Sequence, residues 1–577
     1  MGNPSAIFVP LIWILLTLSG VMAQTGSGIP RVTFPPEEVG KNIHLWTNLV
    51  GRVPKAMMFQ GYLLVFQNRS GQISTFDFSN PRQPIKLGAF NAQGNGDEHV
   101  VPSTGTRIVA SGSVVDYANP ISPKLIGRWG QYFLSVWPAF QWPYLYNTRT
   151  YDTDGKSSPL TILDYSNPSA PKEVKSLDAI SKVGFTTGTT LVVGNLLLVA
   201  SGDVYAGVSA WDIADPVNPQ LISVNKSGSG MYTGQLYGKH IVTTGPKNNG
   251  TTAFFDFSNP EDIHLDWQED IAYSGDYAHF QNGFLFGSRL DQGRWIKYDI
   301  AARKTVVYGT VPAMTGNRRS PTRYCIPLGN MLFLGDPDND ATGKGDGITG
   351  VSVAGIYVHQ ARPDSIGPSL LFFDPPDGAT HMPLTSRVGF GFDEEVDSRL
   401  LDPAHIRIAS VDDGIPIQGE YGHTNGTVNF TPKEKLKPET TYEVVVGAGA
   451  VKDWTGNGNA KSYSFRFSTG ANITASGIHS FAPSFWSTWR NRPRLSAQGG
   501  TDGVWKITLA NWKGALPHGF FRMEFTDASG AAGSVLRVSG EDLARGVEWR
   551  PARRLSGPIL MRLSLPQVEI RGLLLAR

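Results

Sequence analysis

The run Asp336-Pro-Asp-Asn-Asp340 sets three carboxylates two residues apart, at Asp336, Asp338 and Asp340. Hard oxygen donors at that spacing suit Ca²⁺. The pattern then leaves the EF-hand form, because Ala341 stands where that turn needs glycine and no Glu follows at the bidentate position. A solvated acidic loop is the alternative. Tyr151-Asp-Thr-Asp-Gly155 is a shorter version of the same spacing. Asp97-Glu98-His99 offers two acids and an imidazole, but adjacent residues of a strand point to opposite faces and do not converge by spacing. The chain has 11 histidines and no His-Glu-x-x-His, nucleophile elbow or phosphate-binding glycine loop. No catalytic residue is expected, and no cofactor other than Ca²⁺. Trp137, Phe140, Trp142, Tyr144 and Tyr146 form an aromatic cluster. Such a run either fills a core or lines a funnel that stacks on a sugar or peptide side chain. Trp137, Trp142 and Tyr144 are the ligand-contact candidates.

The elements that must position these residues are repeated. Phe76-Asp-Phe-Ser-Asn-Pro81 returns as Val115-Asp-Tyr-Ala-Asn-Pro120, Leu163-Asp-Tyr-Ser-Asn-Pro168, Trp211-Asp-Ile-Ala-Asp-Pro216 and Phe255-Asp-Phe-Ser-Asn-Pro260. Tyr298-Asp-Ile-Ala301 keeps the front half, and Ile356-Tyr-Val-His-Gln-Ala361 is a worn seventh copy. The acids Asp77, Asp116, Asp164, Asp212, Asp256 and Asp299 recur at the interval of one four-stranded propeller blade. Each carboxylate can accept hydrogen bonds from the backbone N–H groups just ahead, and the proline that usually follows stops the strand. These six acids are therefore assigned to turns and not to a reacting centre. Upstream of most copies stands a turn glycine followed by a strand, at Gly61, Gly194, Gly238, Gly283 and Gly329.

Together these phrases resemble the LVIVD repeat of bacterial exported β-propellers, over residues 36–365. The resemblance implies a propeller, expected to have seven blades. A second grammar follows: Phe373-Asp-Pro-Pro-Asp-Gly-Ala379, Arg387-Val-Gly-Phe-Gly-Phe-Asp-Glu-Glu-Val396, Val428-Asn-Phe-Thr-Pro432, Lys452-Asp-Trp-Thr-Gly-Asn457 and Tyr463-Ser-Phe-Arg-Phe-Ser-Thr-Gly470. It is similar to the bacterial Ig-like domain of surface-layer and other exported proteins, over 367–470, which implies a small antiparallel sandwich. Residues 471–577 carry fourteen Lys and Arg against seven Asp and Glu, and an aromatic front half with Trp486, Trp489, Trp505 and Trp512. Their last fifty residues loosely resemble the closing strands of a concanavalin-like β-sandwich. The expected class is all-β: a seven-bladed propeller, an Ig-like β-sandwich and a C-terminal β-rich domain.

Composition agrees with that class. Of 577 residues, 65 are Gly and 39 Pro, charged residues are 17%, aromatics 11%, and the net charge is +2. The apolar stretch from Ile7 to Leu18, with Val21-Met-Ala23 after it, reads as a signal peptide over 1–23 cleaved before Gln24. An N-terminal anchor is the alternative, and no later segment is apolar enough to span a bilayer. Cys325 is the only cysteine, so no intrachain disulfide forms, and it reads as a buried core thiol. The expected protein is monomeric and secreted, periplasmic or on the bacterial cell surface. Its expected function is non-catalytic binding or adhesion, with the propeller as recognition face and the Ig-like domain as spacer. Its partner would be an extracellular protein or glycan, not nucleic acid. The alternative is a propeller hydrolase or lyase acting on polysaccharide, which needs carboxylates converging in the central funnel.

Overall fold

The recurring glycine and aspartate phrases fold as alternate hairpins of four-stranded antiparallel meanders. The computed structural model describes residues 44–50, 55–59, 62–67, 72–77, 84–92, 102–110, 113–129, 138–148, 159–201, 207–228, 233–244, 251–269, 271, 278–289, 294–311, 324–336, 353–360, 362–397, 404–471, 494–499, 505–510, 520–527, 532–539, 542, 545, 547–549, 557–565 and 568–576. Residues 55–91, 103–128, 139–177, 187–225, 233–269 and 279–310 each supply one meander with its strands in chain order. A seventh draws three strands from 324–358, and its fourth is His44–Val50, antiparallel to Val353–Val358 with His44 opposite Val358.

In the fourth to seventh meanders the glycine phrase makes the turn between the first and second strands, and in the first six an aspartate ends the third strand. In the first six meanders the register between third and fourth strands slips just before that aspartate, as at Ala210/Trp211 before Asp212. A bulge there adds local twist where the chain turns outward. The second strand Leu196–Ser201 is buried throughout, whereas the fourth strand Lys172–Leu177 is half exposed, so inner strands read apolar and outer ones mixed.

Consecutive meanders pack face to face. Tyr146, Leu160 and Ile162 of the third meet Val199 and Trp211 of the fourth in one cluster. Phe254 of the fifth meets Phe280 and Ile296 of the sixth, and Trp295 of the sixth meets Leu332 and Tyr357 of the seventh. Cys325 is buried in that last cluster, and burial pushes its thiol pKa well up.

Residues 370–469 form two four-stranded layers. One has the order Leu370–Asp374, Val388–Phe392, Thr427–Pro432, Gly419–Thr424; the other Ala379–Met382, Tyr463–Thr469, Thr441–Val446, Ile406–Ser410. Phe465 stacks on Phe373 at 4.1 Å and meets Phe390 edge-on between the layers. The first layer does not stop at its own edge. Gly419–Thr424 pairs with Ser103–Thr104, the first strand of the second meander, so one eight-stranded sheet runs through both modules. The second module is thus docked on the meanders, and Met1–Gly477 is a single compact unit.

Ile478–Arg577 is a separate unit with two antiparallel sheets. Phe520–Asp527 pairs with both Ala532–Ser539 and Gly557–Leu565, and Met523, Phe525, Val538 and Leu563 are buried. No helix among the described residues is long and apolar enough to cross a membrane.

Candidate functional site

The repeated aspartates spend their oxygens on the backbone. Oδ1 of Asp116, Asp164, Asp212 and Asp256 accepts the N–H two residues ahead, at 2.9, 2.7, 2.8 and 2.7 Å. Asp299 accepts instead from Ala302, three residues on, at 2.8 Å. In each of these meanders the N–H just after the aspartate donates across to the first–second turn, as Ile213 does to Asn195 O at 2.8 Å. The two kinds of turn therefore lie at one end of each meander and are tied together. Asp77 ends its strand, while the turn beyond it, 78–83, lies outside the described residues.

That end of the stack carries the Ig-like module. Its residues reach the first–second turns of the second to seventh meanders. Gly105 N donates to Tyr421 O at 2.8 Å and Gly238 N to Phe392 O at 3.2 Å. Asn429 closes two bonds on the fourth meander, accepting from Gly194 N at 2.7 Å and donating to Val192 O at 3.0 Å. Asn195 returns the device, accepting from Arg387 N at 2.9 Å. Each asparagine thus stands in for a strand neighbour, and the buried backbone groups it meets are satisfied. Asp374 Oδ2 accepts from Asn195 N at 2.6 Å, and burial raises its carboxyl pKa to about 7. Arg387 is fully enclosed, its guanidinium 6.0 Å from the Tyr144 ring, and burial lowers its pKa.

The alternation of Val388-Gly-Phe-Gly-Phe392 has its reason here. Phe390 and Phe392 are buried within the Ig-like module. On the other face, a Cβ on Gly389 would stand 2.0 Å from Gly194 N, and one on Gly391 would stand 2.8 Å from Gly238 O. Only glycine lets the turns of two meanders lie directly on that strand.

Trp142 and Tyr144 sit at the same seam. The Arg107 guanidinium lies 4.0 Å over the Trp142 ring and pairs with Glu420 of the Ig-like module at 2.6 Å. Phe140 and Tyr146 are buried in two different core clusters. Trp137, Asp338, Asp340, Asp97-Glu98-His99, Tyr151–Gly155 and residues 1–23 lie outside the described residues. Asp336 ends the strand Met331–Asp336, and its side chain is likewise outside them.

Two groups of titratable side chains do converge. His240 bonds Asp266 at 3.1 Å, Arg303 bonds the other oxygen of Asp266 at 3.1 Å, and Lys239 bonds Asp256 at 2.5 Å. Two cations already balance these two acids, so the group is an ion-pair network. The second group is Asp364, Glu394 and Asp453, with one oxygen of each within 4.8 Å of the others. All three are buried. They line a cavity with Gln281, Gly329 and Thr455, between the turns of the sixth and seventh meanders and the Ig-like module. Asp453 is held by Thr455 and Asn457, whose N–H groups reach its Oδ1 at 2.8 Å. Asn282 Nδ2 donates to Asp364 Oδ1 at 2.9 Å. Among the described residues, both Glu394 oxygens, Asp364 Oδ2 and Asn282 Oδ1 have no hydrogen-bond partner. The Asn282 N–H faces Glu394 without reaching regular hydrogen-bond geometry. Burial first, then the neighbouring acids, drives the Glu394 carboxyl far above the usual range, and burial raises Asp453 too.

Sequence reasoning missed this group. Its members stand 30 and 59 residues apart, and each has a local reading as linker, strand end or turn. The one signal was Asp393-Glu-Glu395 running straight out of the apolar strand Val388–Phe392 into Val396.

Comparison with known proteins bears on the fold. No curated protein matches the sequence. Solved structures align at low identity. The β-propeller domain of Myceliophteria thermophila Cps50 (Swd1) is 11% identical, with TM-score 0.38, over 54% of this chain and 99% of that one. The periplasmic gluconolactonase PpgL of Pseudomonas aeruginosa is 9% identical, with TM-score 0.33, over 43% and 81%. A nidogen/laminin complex gives 11%, TM-score 0.28, and 43% and 93%. Residues 364–469 match the model of the bacterial Ig-like domain.

Proposed function

We propose that the chain is an exported, non-catalytic binding protein built on a seven-bladed propeller of the LVIVD kind. It works as a monomer, secreted, periplasmic or at the bacterial cell surface, and its ligand is an extracellular protein or glycan. The observation that carries the reading is the seam. The Ig-like module occupies the end of the stack where the first–second turns lie, and it pairs with the free edge of the innermost strand Ser103–Thr104. In the ring we propose, this is the end that the protein covers itself, which leaves the connections at the opposite end as the recognition face. Connecting loops on a rigid scaffold are where binding residues concentrate. The use of five repeated aspartates in turns further supports the reading, because those acids are committed to backbone N–H groups.

A glycan array probed with the full chain and with a chain ending at Gly477 tests this. Equal binding by both supports recognition by the propeller. Binding lost with the tail makes the basic, Trp-rich C-terminal unit the lectin and overturns it. New reducing ends or unsaturated products from a bound polysaccharide would show the rival hydrolase or lyase instead.

A further inference from the structure

We infer that Asp364, Glu394 and Asp453 hold a divalent cation of the calcium class, which fastens the Ig-like module to the propeller. Three carboxylates are only 4%, 1% and 3% exposed and share one small volume. Like charges so enclosed repel strongly and have lost their water, so the group needs a counter-charge. The described residues do not provide one beside it. Lys297 feels Asp364, but its ammonium is held 4.2 Å from the Phe284 ring centroid and forms no ion pair with the three acids.

The unpartnered atoms say what is wanted. Four buried oxygens are left over: both from Glu394, Oδ2 of Asp364 and Oδ1 of Asn282. Without a cation, a proton held by Glu394 donates to only one of these acceptors and leaves the others bare. A cation among the three acids satisfies the Glu394 and Asp364 oxygens together, and Glu394 can present its two oxygens as a bidentate ligand. The set contains oxygen only, without thiolate, and the nearby His279 ring bonds Glu395 at 2.8 Å. Hard, flexible oxygen donors of this kind favour Ca²⁺ over zinc, and carboxylates drawn from distant segments suit its irregular geometry better than the strict octahedron of Mg²⁺. The group His240, Asp256 and Asp266 is the internal contrast, since Lys239 and Arg303 already neutralise it. The ligands come from the linker, the Ig-like strand end and the Ig-like turn, and Asn282 of the sixth meander holds Asp364 from the propeller side at 2.9 Å. Binding therefore couples the two modules.

The test uses the full chain stripped of metal with a chelator. CaCl₂ is titrated to about 1 mM, within the range of extracellular calcium modules. Thermal midpoint is one readout, and Tb³⁺ luminescence sensitised by Trp454, which lines the same cavity, is the other. The expected result is a midpoint several degrees higher with calcium and a saturable Tb³⁺ signal that calcium displaces. Glu394→Gln and Asp364→Asn should each weaken metal binding at least tenfold. Removing a buried, unpaired carboxylate should leave their metal-free midpoints equal to or above the wild type. The triple variant Asp336→Asn, Asp338→Asn, Asp340→Asn should keep the full response. The inference is overturned if wild type shows neither response, if both single variants keep it, or if the triple variant loses it. Should Glu394→Gln not fold, Asp364→Asn decides alone.

Discussion

A side chain at the seam is worth more than its exposure suggests, because its partners are buried backbone groups. Asn429→Ala would leave Gly194 N–H and Val192 C=O without partners, and a buried group so stranded costs about 1–3 kcal/mol. Urea unfolding should show that loss, and an unchanged midpoint would mean water replaces the amide. Asp374 adds a pH dependence. Its folded pKa of about 7 lies above the ordinary 3.8, so the fold binds this proton more tightly than the unfolded chain does. The resulting stabilisation is full below the ordinary value and is lost as pH rises through about 7. His359 pulls the other way: burial lowers its pKa to about 3, so its contribution is lost as pH falls below the ordinary 6.5. Comparison with Asp374→Asn isolates the acid. In chelator, the wild-type midpoint should drop more steeply between pH 5 and pH 8 than the variant's; parallel profiles would refute the assignment. At this scale the sequence was legible only where cause and effect are neighbours. The turn at Asp212 could be read because its partner is Ala214. The role of Asp374 could not, because its partner Asn195 is 179 residues away.

The strand Val388–Phe392 shows the same division within one element. Its alternation announced a strand with one small-residue face, and the phenylalanines announced the core. What the glycines faced was invisible, since the turns they touch belong to another repeat. Gly389→Ala puts a methyl 2.0 Å from Gly194 N, and neither backbone can yield without breaking the Asn429 bonds. Overpacking of this kind costs about 1–3 kcal/mol. Calorimetry should show a lower midpoint and a broadened or divided transition as the modules part. Gly447→Ala, in the same module, meets nothing nearer than 3.9 Å and should be near neutral. Equal effects from the two would remove the steric argument. The meanders themselves were readable because each signals its own turns; the register slip before every third-strand aspartate was not, because a bulge leaves no composition mark.

Across the whole molecule, three sequence grammars become two compact units, Met1–Gly477 and Ile478–Arg577. Periodicity reveals modules, but it cannot reveal that one module docks on another, because docking surfaces are made of turns already explained locally. Deleting 478–577 should leave the main calorimetric transition in place within about a degree or two, the size of shift that a few tenths of a kcal/mol produce. A large shift would mean the two units stabilise each other. The last sheet of the stack has a consequence for biosynthesis. Its outer member, His44–Val50, is made first, while its mate Val353–Val358 is made some three hundred residues later. During that interval an early segment with unsatisfied amides waits for a late one, the situation in which slow, long-range pairing invites wrong partners. The pairing can close only once Val353–Val358 has emerged, while the Ig-like module and the C-terminal unit are still being made.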